Sequence, residues 1–197
     1  TGVKDPSETK LNLNDQKDCA REIVKLIDAP VNWFLYGTDV HTGTGNKGYE
    51  IERDIAQLTN SEQQPHIYSH LQAKFQDFVL DFRHQPASNS YVETSMANPL
   101  IREYIVNKQW WMEGRQELAT HIFRAHTHKM ADVGVKNRWE AHGCPALQRK
   151  TKYGARRLSN VVHCGYGILE FKKGEWPIWK VQEPPKPTPR VFKLFQE

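Results

Sequence analysis

From Ile67 to Ile122 the large apolar residues recur three and four positions apart, and no other feature of the chain constrains its fold as much. Ile67, Leu71, Phe75, Phe78 and Phe82 would line one face of a helix over Pro65–Arg83, with Ser61 and Gln64 set as a capping box before it. Asn98 as cap and Pro99 in the first turn then open a second long helix reaching Met130. It is apolar along Ile101, Tyr104, Ile105, Trp111, Leu118 and Ile122, with a weak point at Gly114. Two shorter amphipathic helices precede these. One follows Asn14 and Asp15, with Cys19, Ile23, Leu26 and Ile27 on its face, and the other spans Tyr49–Leu58. Val31–Tyr36 between them fits a short strand or a helical turn. The expected fold is mainly α: amphipathic helices in an irregular bundle that packs through Phe75, Phe78, Phe82, Leu118 and Ile122.

Beyond Met130 the pattern breaks. Gly134, Gly143, Pro145 and Gly154 interrupt short segments, and Lys173-Gly174 between two apolar runs predicts a small C-terminal β-hairpin, with Pro177 marking an edge strand. The prolines at 184, 185, 187 and 189 force an extended tail. The expected organisation is an extended arm over 1–14, a helical domain over 15–130, a basic, glycine-broken segment with a hairpin over 131–182, and a proline-rich tail over 183–197.

Such a chain has a thin aliphatic supply. Hydrophobic residues make up 38% of its 197 positions, and its mean hydropathy is −0.72. Six Trp, seven Tyr and eight Phe supply the bulk a core needs. The balance points to a modest core and much surface for partners. The net charge of +4 is concentrated: Lys129–Arg157 holds eight basic residues against Asp132 and Glu140. Such a run can meet phosphate, an anionic membrane surface or an acidic protein. Arg149, Lys150, Lys152, Arg156 and Arg157, with Trp139 and Tyr153 interleaved, are the candidate anion or nucleic-acid contacts.

Cys19, Cys144 and Cys164 form no disulfide framework, and no Asn-x-Ser/Thr sequon occurs, so an intracellular, reducing compartment is expected. The absence of a methionine at Thr1 fits a processed, mitochondrial product and a trimmed terminus alike. No apolar stretch reaches the length of a membrane span.

Gly43–Gly48 has the glycine spacing of a dinucleotide fingerprint but not the strand that should run into it. Read as helices, His66, His70, Asp77, Asp81 and His84 share one polar stripe, and Glu113, Glu117, His121 and His128 another. Both stripes lie opposite the apolar faces and are expected in solvent. His126 falls on the apolar side, as a hydrogen-bonded core histidine. His126, His128, His142, Cys144, His163 and Cys164 could gather round zinc, but their spacings miss the usual structural pattern. Glu170-Phe171-Lys172 reads as a strand face. No catalytic residue, cofactor or metal ligand is assigned on these grounds.

The expected function is therefore a non-enzymatic structural subunit of a multiprotein assembly. Other protein subunits would be its partners, and Phe192, Leu194 and Phe195 would dock on them after the stiff proline spacer. A nucleic-acid-binding protein and a metal-dependent enzyme using the histidine–carboxylate stripes are the alternatives.

Overall fold

Gln76 takes a left-handed backbone, with φ of 54°, and around it the segment expected as a long helix turns back on itself as a hairpin. The computed structural model describes residues 13–37, 48–59, 67–86, 95, 97–147 and 162–185. In chain order it contains α1 (Leu13–Ile27), β1 (Phe34–Leu35), α2 (Gly48–Thr59), β2 (Ile67–Tyr68), β3 (His70–Phe75), β4 (Phe78–Arg83) and α3 (Asn98–Met112). Then come β5 (His121–Arg124), β6 (Ala131–Val135), β7 (Trp139–Gly143), β8 (Tyr166–Glu170) and β9 (Ile178–Gln182).

The expected mainly helical bundle is corrected by a five-stranded mixed sheet in the order β3-β4-β5-β7-β6. β4, β5 and β7 run parallel at its centre, and β3 and β6 flank them antiparallel. The reason lies in the period. Phe78, Leu80 and Phe82 alternate as a strand requires, while Leu71, Phe75, Phe78 and Phe82 also satisfy helical spacing. Tertiary pairing decides between them: Phe75 opposes Phe78, leaving Gln76-Asp77 as a two-residue turn.

The second long helix is half the expected length. Gly114 (φ 69°) stops it: its N–H donates to the Trp111 carbonyl at 2.9 Å, and Arg115 N–H donates to the Trp110 carbonyl at 2.9 Å. This double bond pattern around a left-handed glycine is a Schellman stop. At the other end Ala97, not Asn98, is the cap, with Pro99 in the first turn. The chain then forms β5, whose four residues are all buried. The helices α1 and α2 and the hairpin β8–β9 form where the sequence reading places them, and the segment it left open between strand and helical turn forms the short β1. β1 pairs with β2 in a small parallel ladder, and Lys17 of α1 pairs with Asp54 of α2.

The sheet is covered on both faces. On one, α3 packs over β5 and β7 through Leu100, Ala119, Ile122 and Ala141, with Tyr104 stacked on Trp139 at 3.8 Å. On the other, the C-terminal hairpin lays Trp179 against Phe123 at 5.1 Å, and beside it Trp176 lies against Phe78 at 5.5 Å. Burial of these rings supplies much of the stabilisation that few aliphatic residues could. β6 and β7 pair in the same sheet as β3–β5, so the segments before and after Met130 share one core. No helix among the described residues is long and apolar enough to cross a membrane. The arm over 1–12, the loop over 38–47, the basic run with Arg149, Lys150, Lys152, Arg156 and Arg157, and the tail with Phe192, Leu194 and Phe195 lie outside the described residues.

Candidate functional site

Three parallel strands end at the same edge, and each hands the chain to a residue with polar chemistry. β4 is followed by His84, β5 by Ala125 and His126, and β7 by Cys144. Ala125 N–H donates to the His84 carbonyl at 3.1 Å and Cys144 N–H to the Arg124 carbonyl at 2.7 Å, so the ladder continues past the strands and fixes these neighbours. Open α/β sheets bind ligands outside the carboxyl ends of their strands.

At this edge His84 Nε2 lies 3.2 Å from His126 Nδ1, with the rings nearly perpendicular at 72°. His126 sits in a tight turn in which Thr127 N–H donates to the Ala125 carbonyl at 2.7 Å. Its φ is 65°, and His128 follows at 55°. Left-handed backbone at two non-glycine residues is costly and concentrates at functional sites. Two imidazole nitrogens on one tetrahedral zinc would lie roughly 3.3–3.4 Å apart at ordinary bond lengths, which the observed pair nearly matches.

The loop is braced from outside. His163 N–H donates to the His128 carbonyl at 2.9 Å, and Met130 N–H donates to His163 Nδ1 at 3.1 Å. That second bond occupies the Nδ1 lone pair of His163, which makes it a brace for the loop rather than a ligand through that atom. Burial pushes the Cys144 thiol up to about 12, which keeps it protonated near neutral pH in the metal-free chain. Among the described residues, neither Cys144 nor Cys164 belongs to a set of three metal-type side chains with converging ligand atoms.

Behind the edge, Asp81 and Arg124 hold β4 and β5 together. Arg124 Nη2 is 2.7 Å from Asp81 Oδ1, and Arg124 Nε donates to Glu103 Oε2 of α3 at 2.7 Å. Asp81 Oδ2 also accepts from His70 Nε2 at 2.7 Å and Gln72 Nε2 at 3.0 Å. His70 and Asp81 were expected on one helical stripe; they meet instead across the β3–β4 ladder.

A second group faces the hairpin. Among the described residues, His121, Glu140 and His142 form the one set of three metal-type side chains whose ligand atoms lie within 4.8 Å of one another. His121 and Glu140 are direct partners between β5 and β7, and His142 lies two residues along from Glu140 on the same face. Neither helical stripes nor cysteine–histidine spacing could show this set. Glu140-x-His142 read at strand period would have.

No family profile and no curated protein matches this chain. Among solved structures, an archaeal phosphodiesterase superposes with a TM-score of 0.45 at 15% identity, over 82% of this chain and 76% of the other. A mutant Vps29 from Entamoeba histolytica gives 0.43 at 11%, over 84% and 89%. A protein from Streptococcus pneumoniae named as a predicted phosphoesterase gives 0.39 at 8%, over 84% and 91%. At these scores they establish neither family nor function.

The expectation of a non-enzymatic structural subunit rested on polar arms, a proline-rich tail, many aromatic residues and a thin core, and it set the histidine stripes in solvent. It is corrected at the histidines. The histidine–carboxylate set of β5 and β7 is turned inward, with His121 at 0% and His142 at 3% exposure, within a sheet rather than a bundle.

Proposed function

We propose that this protein is a metal-dependent hydrolase acting on phosphate esters, with its centre at the carboxyl edge of β4, β5 and β7. The observation that carries this is the approach of His84 and His126 to 3.2 Å at that edge, on loops held by the strand ladder. These two histidines would hold the ion, with His128 adjoining in the same turn. A divalent ion there supplies Lewis-acid chemistry, polarising an oxygen and lowering the pKa of water.

The chain's own residues prepare that place. The ladder past β4 and β5 orients the two imidazoles, and His163 holds the His128 backbone. A small hollow lined by Pro86, Pro99, Arg124, Thr127, Lys129 and Gly143 adjoins the turn at Thr127, with a volume on the scale of a water molecule.

The anionic character of the substrate is supported by charge. The segment over 148–161 holds Arg149, Lys150, Lys152, Arg156 and Arg157 and no acid. Its described flanks are tied to this edge, since Ala146 and Cys164 bridge and His163 binds the His128 carbonyl. Five cations in the chain between these flanks suit a phosphate substrate better than a neutral ester.

The test is hydrolysis of p-nitrophenyl phosphate and bis-p-nitrophenyl phosphate. His84→Ala and His126→Ala should each lower kcat on the order of 100-fold, corresponding to the several kcal/mol a metal supplies. Neutralising Arg156 and Arg157 should raise KM more than it lowers kcat. Equal rates for all variants would refute the assignment.

A further inference from the structure

We infer that His121, Glu140 and His142 form a second metal site, separate from the edge pair and buried beneath the C-terminal hairpin. It takes a first-row divalent ion of the zinc class. The two sites lie at opposite ends of β5: His121 opens the strand, and His126 follows it.

The argument is an account of protons. His142 Nδ1 lies 2.8 Å from Asp132 Oδ1, an acceptor, so Nδ1 carries the hydrogen and Nε2 presents a lone pair. His121 Nδ1 lies 3.2 Å from the Thr120 hydroxyl. That hydroxyl spends its own proton on the Val79 carbonyl at 3.0 Å, so it can only accept from His121. His121 Nε2 therefore also presents a lone pair. Glu140 Oε1 accepts from Trp176 Nε1 at 3.0 Å, which leaves Oε2.

These three remaining atoms converge. Glu140 Oε2 is 3.6 Å from His142 Nε2 and 3.9 Å from His121 Nε2. Both distances are too long for hydrogen bonds, and both Nε2 atoms are buried without a partner. Three acceptors facing one another with no donor between them repel. Unpaired buried polar atoms of this kind are rare and ask for an explanation. Closing the two Glu140 gaps by a few tenths of an ångström brings Oε2 to the spacing of ligands on one tetrahedral ion, roughly 3.3–3.4 Å. All three ligand atoms already lie within 4.8 Å of one another.

The surroundings match what metal centres build around their ligands: every ligand has its other polar atom fixed by a named partner, Asp132, Thr120 or Trp176. The donor set of two imidazoles and one carboxylate suits zinc and its neighbours rather than calcium or magnesium. Both strands are already joined in one ladder, so the ion closes no new loop in the chain. Its consequence falls on the hairpin instead. By fixing Glu140 it fixes Trp176, whose ring lies 4.9 Å from His121, while Trp179 lies 5.1 Å from His142.

The test is titration of chelator-treated full chain with Zn²⁺ and with Ni²⁺, read by native mass spectrometry and by tryptophan fluorescence. The expected result is one equivalent that persists in His126→Ala, with Ni²⁺ quenching Trp176 and Trp179. In Glu140→Gln, which keeps an acceptor for Trp176, that equivalent and the quenching should disappear. His121→Phe with His142→Gln should behave the same way. Asp132→Asn should weaken Ni²⁺ binding about 10–100-fold, the usual effect of losing an outer partner. Retention of full stoichiometry and quenching in folded Glu140→Gln overturns the site. So does loss of every equivalent in His126→Ala, which would place all binding at the edge and none here.

Discussion

Arg124 and Asp81 pair at 2.7 Å with side chains only 3% and 1% exposed, and they do so between the two strands that present His126 and His84. Glu103 binds the same guanidinium from α3. The ion network therefore ties sheet and helix together directly behind the edge pair. Buried ions are tolerable only when each charge has its partner and its remaining hydrogen bonds are made. Here Arg124 Nη1 also donates to the Phe123 and Asp81 carbonyls.

Arg124→Met should accordingly destabilise the protein by about 3–5 kcal/mol, because it strands the Asp81 and Glu103 carboxylates. Denaturant unfolding of the variant measures this. A loss below about 1 kcal/mol, the range of ordinary surface changes, would mean the network is not buried as described.

Asp81 makes stability depend on acid. Burial pushes its carboxyl up, but the hydrogen bond from His70 and the charges of Arg124 and His70 outweigh that and hold it at about 2. The unfolded chain then binds more protons than the folded one between roughly pH 4 and pH 2. This contribution, on the order of 2 kcal/mol, is complete above about pH 4 and lost as pH falls through about 2. Unfolding free energies measured across that window should fall steeply for the wild type and flatten in Asp81→Asn.

Gly167 lies directly under Trp179: a Cβ at that position would stand 1.7 Å from the indole ring. Gly167→Ala should push Trp179 off Phe123 and His142, lowering stability and shifting tryptophan emission to the red. Unchanged emission would contradict the packing of the hairpin on the sheet.

Phe78 touches Trp176, Phe171 and His121 at centroid distances of 5.5–5.9 Å. Phe78→Ala should cost about 3 kcal/mol through the cavity it leaves. Thermal unfolding of the variant checks it.

The elements legible in the sequence are those whose signals are local. α1 and α2 carry helical periodicity, and β8–β9 carries a Lys173-Gly174 turn in which Gly174 takes φ of 76°. The β3–β4 hairpin escaped because Gln76-Asp77 lacks the glycine or asparagine that marks such turns, and its phenylalanines fit two periods. β5 escaped because four residues, His121-Ile-Phe-Arg124, show no period of their own; only their neighbours in the sheet define them. The site followed the same rule. His142 and His126 stood among the candidates, but their partners His121, Glu140 and His84 are set by strand register and by a crossover of some forty residues. Residues two apart on β7, as in Glu140-Ala141-His142, held the strand-period signal that helical reading discards.

The most direct test of the central claim is phosphodiester hydrolysis by the metal-free protein, titrated with Mn²⁺ and with Zn²⁺, beside His84→Ala and His126→Ala treated alike. The wild type should be inactive without metal and gain activity that saturates with it, and neither variant should recover more than about a hundredth of that rate. Hydrolysis that needs no metal, or that both histidine variants recover in full, would contradict a metal centre held by His84 and His126.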